Sequence, residues 1–146
     1  MHLTLHTDYA LRVLLYLAHF PQRRVSTEEI SKAFGISKNH LVRVVHDLAE
    51  HQFVTATMGR KGGVALAATP DKIHVGDVVR ACEPNFKIVE CFELESNTCP
   101  IVPICGLKAP LQAALEQFMK TLDAYTLADI GGTSSHTRFV NLLLPK

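Results

Sequence analysis

The chain has 146 residues, 47% hydrophobic and 20% charged, with no tryptophan and a formal net charge of +1. That length suits one domain with its own core, or a small domain plus an extension, and the composition excludes a disordered or fibrous protein. No apolar run reaches the roughly 18 residues of a membrane span, and "MHLTLHTDYALR" lacks the basic-then-apolar order of a secretory signal, so a cytoplasmic setting with reduced thiols is expected.

Residues 8–19, "DYALRVLLYLAH", are apolar on nearly every face apart from Arg12, which predicts a helix enclosed on several sides, started by Thr7 or Asp8 as cap. After "FPQRR", Ser26 and Glu29 have the spacing of a capping box ahead of Ile30, Ala33 and Phe34, and Gly35 ends that short helix. Ser37 is the expected cap of the next one, where Leu41, Val44, Val45 and Leu48 share a face at helical spacing. Lys38, Asn39, His40 and Arg43 are left pointing outward, the layout of a helix-turn-helix.

Two β-prone runs follow, Phe53 to Thr57 and Val64 to Ala68, joined by "MGRKGG". Together they read as a hairpin with a cationic tip at Arg60 and Lys61. A helix-turn-helix followed by such a hairpin is a winged helix, whose second helix can enter the major groove while the wing reaches the neighbouring minor groove or phosphates. The charge distribution agrees: residues 1–80 carry ten Lys/Arg against seven Asp/Glu, and residues 81–146 carry five against seven.

Pro70 closes the wing, and "IHVGDVVRACEP" predicts a helix with Val75, Val78, Val79 and Cys82 inward, Cys82 acting as a small buried hydrophobe. Beyond residue 106, Leu107, Leu111, Leu115, Phe118, Leu122 and Tyr125 recur at steps of three and four, with Pro110 in the first turn. So long a seam predicts pairing with a second copy of the chain through Leu111, Leu115, Phe118 and Leu122. The tail from Gly131 is expected to begin flexible, and the scattered histidines His2, His6, His19 and His136 to be surface or capping residues.

The expected fold class is mostly α with a small β-hairpin. It comprises a winged helix-turn-helix domain over 1–82 with the wing at about 53–69, a cysteine loop over 83–106, a dimerisation helix over 107–130 and a tail over 131–146.

Cys91, Cys99 and Cys105 stand as C-x7-C-x5-C in a loop stiffened by Pro100 and Pro103. In a reducing compartment such crowding points to a metal or redox role rather than a disulfide. The intervals do not match the paired knuckles of structural zinc, which stays an alternative, whereas iron-sulfur clusters accept looser spacing because the cluster is several ångströms wide. Three thiols leave one ligand to be found. An enzyme using these thiols would need a C-x-x-C pair or a base beside a low-pKa cysteine; neither is visible, and no enzyme activity is expected.

Taken together, "LTLHTDYALRVLLYLA", "STEEISKAFGISKNHLVRVVHDL", "GRKGGV", "VGDVVRACEP", "VECF", the triple cysteine and "YTLADI" resemble the IscR/NsrR/RirA family of iron-sulfur winged-helix regulators over nearly the whole chain, and most of all its NsrR branch. The resemblance implies a homodimeric, nitric-oxide-sensing repressor of a palindromic DNA operator, whose binding is lost with nitrosylation or loss of its cluster. It implies an iron-sulfur cluster, 4Fe-4S with 2Fe-2S as the alternative, held by Cys91, Cys99, Cys105 and Asp8 of the partner subunit. DNA contacts are implied for Ser37, Lys38, Asn39, His40, Arg43, Arg60 and Lys61. In the IscR branch a histidine three positions after the last cysteine is a ligand, and Lys108 stands there; the wide first cysteine interval is closer to RirA, which keeps an iron- or redox-responsive regulator as the alternative. Met58 stands where the family's wing usually carries arginine.

Overall fold

In a computed structural model, the structure describes residues 2–57, 59, 62–93, 95–131 and 136–143. The first helix, α1 (Leu5–His19), buries Ala10, Val13, Leu14, Tyr16 and Leu17 to 1% exposure or less. A helix with so little polar surface has to be surrounded. It packs against α3 (Lys38–Glu50), strand β2 (Gly63–Leu66), α4 (Val75–Cys82) and α6 (Leu127–Gly131), as its composition predicts. Its start differs from expectation. Thr4 is the N-cap, its hydroxyl accepting from the Thr7 amide, so the helix begins three residues before Asp8. Thr7 is itself fully buried, and Asp8 lies in the first turn with its carboxylate turned to Arg12 rather than to the helix start.

Helix α2 (Thr27–Phe34) is capped by Ser26 and closed by Gly35 at φ 63°, a left-handed conformation that glycine adopts without a Cβ clash. The capping box is only half made. Ser26 accepts from the Glu29 amide, but the Glu29 carboxylate turns to the buried Tyr16 hydroxyl, which donates to it at 2.9 Å, and to Arg23. Arg23 holds the Glu29 carboxyl below its usual pKa, while burial and that carboxylate push Tyr16 up to about 12. This clasp ties α1 to α2. Helix α3 is capped by Ser37, whose hydroxyl accepts from the His40 amide, and it buries Leu41, Val44, Val45 and Leu48, as predicted.

Strand β1 (Val54–Thr57) pairs antiparallel with β2, Val54 opposite Leu66 and Thr57 opposite Gly63, and Val25 adds an isolated bridge to Val64. After a 3-10 turn at Pro70–Lys72, α4 buries Val75, Val78, Val79 and Cys82. Burial, with Asp47 and Glu83 nearby, pushes the Cys82 thiol up to about 12, so it stays a neutral thiol unless a cation displaces its proton.

The long C-terminal helix is shorter than its hydrophobic pattern suggested. α5 (Lys108–Asp123) ends at Asp123, and α6 starts afresh behind Thr126, which exchanges hydrogen bonds with Asp129 in a compact capping arrangement. The break is held by the Val75 amide donating to the Tyr125 carbonyl and the Leu127 amide donating to that of Ile73, both at 2.9 Å. Pro110 sits in the first turn of α5, where its missing amide costs nothing.

Two further expectations concern the tail, whose flexible start falls outside the described residues, and His19. Within the tail, residues 132–135 and 144–146 lie outside the described residues, but α7 (His136–Leu143) folds back so that Phe139 and Leu143 pack against the main core. His19 is buried rather than superficial, with its ring stacked on Phe139 at 3.8 Å and 5.6 Å from that of His136. Burial, and then His136, lower the His19 pKa.

Gly76 is where α4 meets the end of α5. A Cβ there would lie 1.9 Å from Asp123 Oδ1 and 3.1 Å from the Asp123 amide nitrogen. That carboxylate is also gripped by Arg80 through two hydrogen bonds of 2.7 and 2.6 Å. Gly76→Ala is therefore expected to evict the Arg80–Asp123 pair and spread α4 from α5, destabilising the fold by about 1–3 kcal/mol in a denaturant melt.

Candidate nucleic-acid interface and cysteine loop

The capped start of α3 sets the candidate reading surface. With Leu41, Val44, Val45 and Leu48 locked into the core, the helix can present only its opposite face, and Ser37, Lys38, Asn39, His40 and Arg43 are all exposed on it. The His40 ring lies 6.4 Å from that of Tyr9, and Lys38 Nζ pairs with Glu28 at 3.2 Å. Lys38, with Lys32, draws the Glu28 pKa below its usual value. Arg60 and Lys61, the expected wing cations, lie outside the described residues.

The base of the wing contains a residue that periodicity did not flag. Arg24 donates from one guanidinium nitrogen to the carbonyls of Thr55 and Gly63, 3.2 Å each, and so bridges β1 and β2 next to the Val25–Val64 pairing. Its position in the polar run "QRR" made it look like an ordinary surface charge.

In the cysteine loop, Cys91, Cys99 and Cys105 are free and half-buried, and no disulfide forms. Two local devices order the loop. Glu90 accepts from both the backbone amide and the hydroxyl of Thr98, which holds the Glu90 pKa down, and Asn97 Oδ1 accepts from the Cys99 amide at 3.3 Å. Glu90 and Thr98 each stand one residue before a cysteine, so their contact brings the chain at Cys91 and at Cys99 together. Lys87 and Glu93 form an ion pair around the same turn. The matched positions of Glu90 and Thr98 were visible in the sequence, but their pairing was not.

Asp8 is 39% exposed and forms a two-pronged ion pair with Arg12, at 3.0 and 2.6 Å, one helical turn further along α1. The cysteine loop and Asp8 are not brought together within this chain as a set of converging donors. Among the described residues, the trio of ligand atoms that does converge, within 4.8 Å, is His6, Asp47 and Cys82.

Of the residues expected to pair two copies of the chain, Leu115, Phe118 and Leu122 pack with Val75, Val79 and Met119 of their own chain, while Leu111 is half-buried. Ile101, Ile104, Leu107 and Tyr125 are exposed, Ile104 at 87%.

A family model described as an iron-dependent transcriptional regulator, Rrf2, matches residues 3–132. The chain belongs to the Rrf2 family. Among its relatives, the HTH-type transcriptional regulator NsrR of Bacillus licheniformis is 43% identical over 139 residues, spanning 94% of this chain and 97% of that protein. NsrR of Bacillus subtilis is 44% identical over 131 residues, spanning 89% and 90%. Of solved structures, T. potens IscR superposes with a TM-score of 0.74 at 24% identity over 94% of this chain and 91% of that one. CymR, the global cysteine regulator of B. subtilis, gives 0.68 at 25% identity over 90% and 96%. The mostly helical fold with its single described hairpin is thus that of Rrf2 regulators, and the protein is a transcriptional regulator rather than an enzyme. No described helix is long and apolar enough to cross a membrane.

Glu90→Ala removes the tie between the segments that lead into Cys91 and Cys99. Because Glu90 is exposed, the melting temperature is expected to stay within about 2 °C of the parent. Hydrogen exchange over residues 90–99 should speed up several-fold, and unchanged exchange there would show that the tie does not order the loop.

Proposed function

We propose that this Rrf2 protein is a cytoplasmic, homodimeric repressor that holds an iron-sulfur cluster and leaves a palindromic operator when nitric oxide reaches that cluster. What carries the reading is the set of three free, half-buried thiols in a loop pinned by Glu90 and Thr98, in a chain 43% identical to an NsrR regulator.

Cys91, Cys99 and Cys105 would hold the cluster, of 4Fe-4S type, with Asp8 of the partner subunit as fourth donor. The donor chemistry fits: none of the thiols is committed to a disulfide, and Asp8 is on an exposed face of α1 rather than serving as its cap. When bound, a cluster with one carboxylate among thiolates supplies an iron comparatively open to a small molecule. The chain's own part is positional. Arg12 holds the Asp8 carboxylate in one orientation and must yield it when a metal ligand is needed.

On the DNA side, Ser37 caps α3 and Asn39 and His40 lie in its first turn, where a recognition helix meets base edges, and Lys38 and Arg43 are placed for phosphates. Lys38 exchanges Glu28 for a phosphate on binding. Arg60 and Lys61, which lie outside the described residues, would add further phosphate contacts. Pairing of two copies draws on Leu111 and on the exposed Ile101, Ile104, Leu107 and Tyr125. Leu115, Phe118 and Leu122 support it from within the chain, by bracing α5 on α4.

Protein purified without oxygen is expected to be brown, with about four iron and four acid-labile sulfide per cluster, and to lose both its colour and its operator binding on addition of nitric oxide. Asp8→Ala should shorten the cluster's lifetime without unfolding the protein, and Arg43→Ala should lower the slope of log affinity against log salt by about one. A colourless protein holding zinc or no metal contradicts the cluster. A brown protein indifferent to nitric oxide contradicts the proposed signal while leaving the cluster standing.

A further inference from the structure

Three helices that meet beneath the reading surface each bring one metal-binding side chain to the same point. His6 comes from the first turn of α1, Asp47 from the last turn of α3, and Cys82 from the end of α4. His6 Nε2 lies 2.8 Å from Asp47 Oδ2, and all three donor atoms lie within 4.8 Å of one another. Cys82 is 8% exposed, and the other two side chains are 36% and 29% exposed, so the trio forms a shallow site with one thiol at its floor.

We propose that His6, Asp47 and Cys82 form a second metal site, distinct from the cysteine loop, for a divalent cation of borderline softness such as Zn2+. Zinc takes Cys sulfur at about 2.3 Å and His nitrogen or carboxylate oxygen at about 2.0–2.2 Å, so tetrahedral donors sit roughly 3.3–3.6 Å apart. The observed separations, from 2.8 Å to at most 4.8 Å, reach that spacing through small side-chain rotations. A thiolate and a carboxylate neutralise the two charges of the cation, and a neutral imidazole completes three protein ligands, leaving the fourth position for water. On binding, the metal displaces the Cys82 thiol proton to solvent, and His6 keeps its one imidazole hydrogen on Nδ1 so that Nε2 offers its lone pair in place of the hydrogen bond to Asp47.

Beside the site, His51 Nε2 lies 3.7 Å from the second carboxylate oxygen of Asp47, beyond direct hydrogen-bond reach. His6 precedes Asp8 by two residues, which places the two on opposite faces of α1. The site and the proposed cluster ligand therefore do not compete. A cation here would cross-brace α3 and α4, each of which packs on α1 without it.

The test uses the full-length chain with Cys91, Cys99 and Cys105 all changed to serine, so that any remaining thiolate coordination comes from Cys82. With Zn2+ the expected result is one equivalent bound per protomer and a rise in melting temperature. With Co2+ it is a thiolate-to-metal charge-transfer band and intensified visible bands. Adding His6→Gln should weaken zinc binding by more than about tenfold, and adding Cys82→Ser should abolish the charge-transfer band. His6 is half-exposed, so His6→Gln keeps the test informative if Cys82→Ser does not fold, with the metal-free melting temperature as the control. No stoichiometric zinc or cobalt in the triple-serine protein, or binding indifferent to both changes, would overturn the site. Either result is independent of whether the cysteine loop holds a cluster.

Discussion

Enclosure of α1 is the constraint on which the rest of the molecule depends. Its apolar residues cannot meet water, so α3, β2, α4 and α6 close around it, and α7 covers its far end through Phe139. Once α1 is surrounded, the orientation of α3, the candidate reading helix, follows. Leu41, Val44, Val45 and Leu48 can bury only one way, and Lys38, Asn39, His40 and Arg43 must then face outward. The polar residues of α1 reinforce this arrangement. Tyr16 fixes α2 through Glu29, while Asp8 and Arg12 occupy a strip of the helix that the core leaves uncovered.

This architecture places the chemistry at the margins of the core. Helix α4 lies between α1 and α5, and its close approach at Gly76 carries the position of α5 back to the core that sets α3. The cysteine loop leaves the end of α4 and enters the start of α5, so a change in the loop would reach two helices already packed together. A coupling of about 1–3 kcal/mol through such a path would change DNA affinity roughly five- to 150-fold, enough for regulation.

Much of this was legible in the sequence where local rules act alone. The caps Ser26 and Ser37, the glycine stop at Gly35 and the inward residues of α3 and α4 follow from capping chemistry and helical spacing. Local rules failed where a tertiary partner competed. The Glu29 carboxylate left its capping role because Tyr16 and Arg23 offered better partners, and Thr4 displaced Thr7 and Asp8 as cap because Thr7 is needed in the core. The apolar seam from Leu107 to Tyr125 hid a break, since its spacing runs on to Tyr125 while α5 ends at Asp123 and the hydrogen bonds of Thr126 with Asp129 and of Tyr125 with α4 start a new element. The three loop cysteines were evident by inspection. The meeting of His6 with Asp47, 41 positions away, could be seen only once three helices were in place.

In the proposed function, the metal state of the cysteine loop sets the affinity of α3 for DNA. The most direct measurement is operator affinity by titration at one fixed salt concentration, on a single oxygen-free preparation, before and after iron is removed by a chelator. A fall of at least about fivefold on iron removal, with far-ultraviolet circular dichroism unchanged, is the result this account predicts. Equal affinities for the loaded and stripped protein would contradict it, leaving a winged helix whose cysteine loop does not speak to DNA.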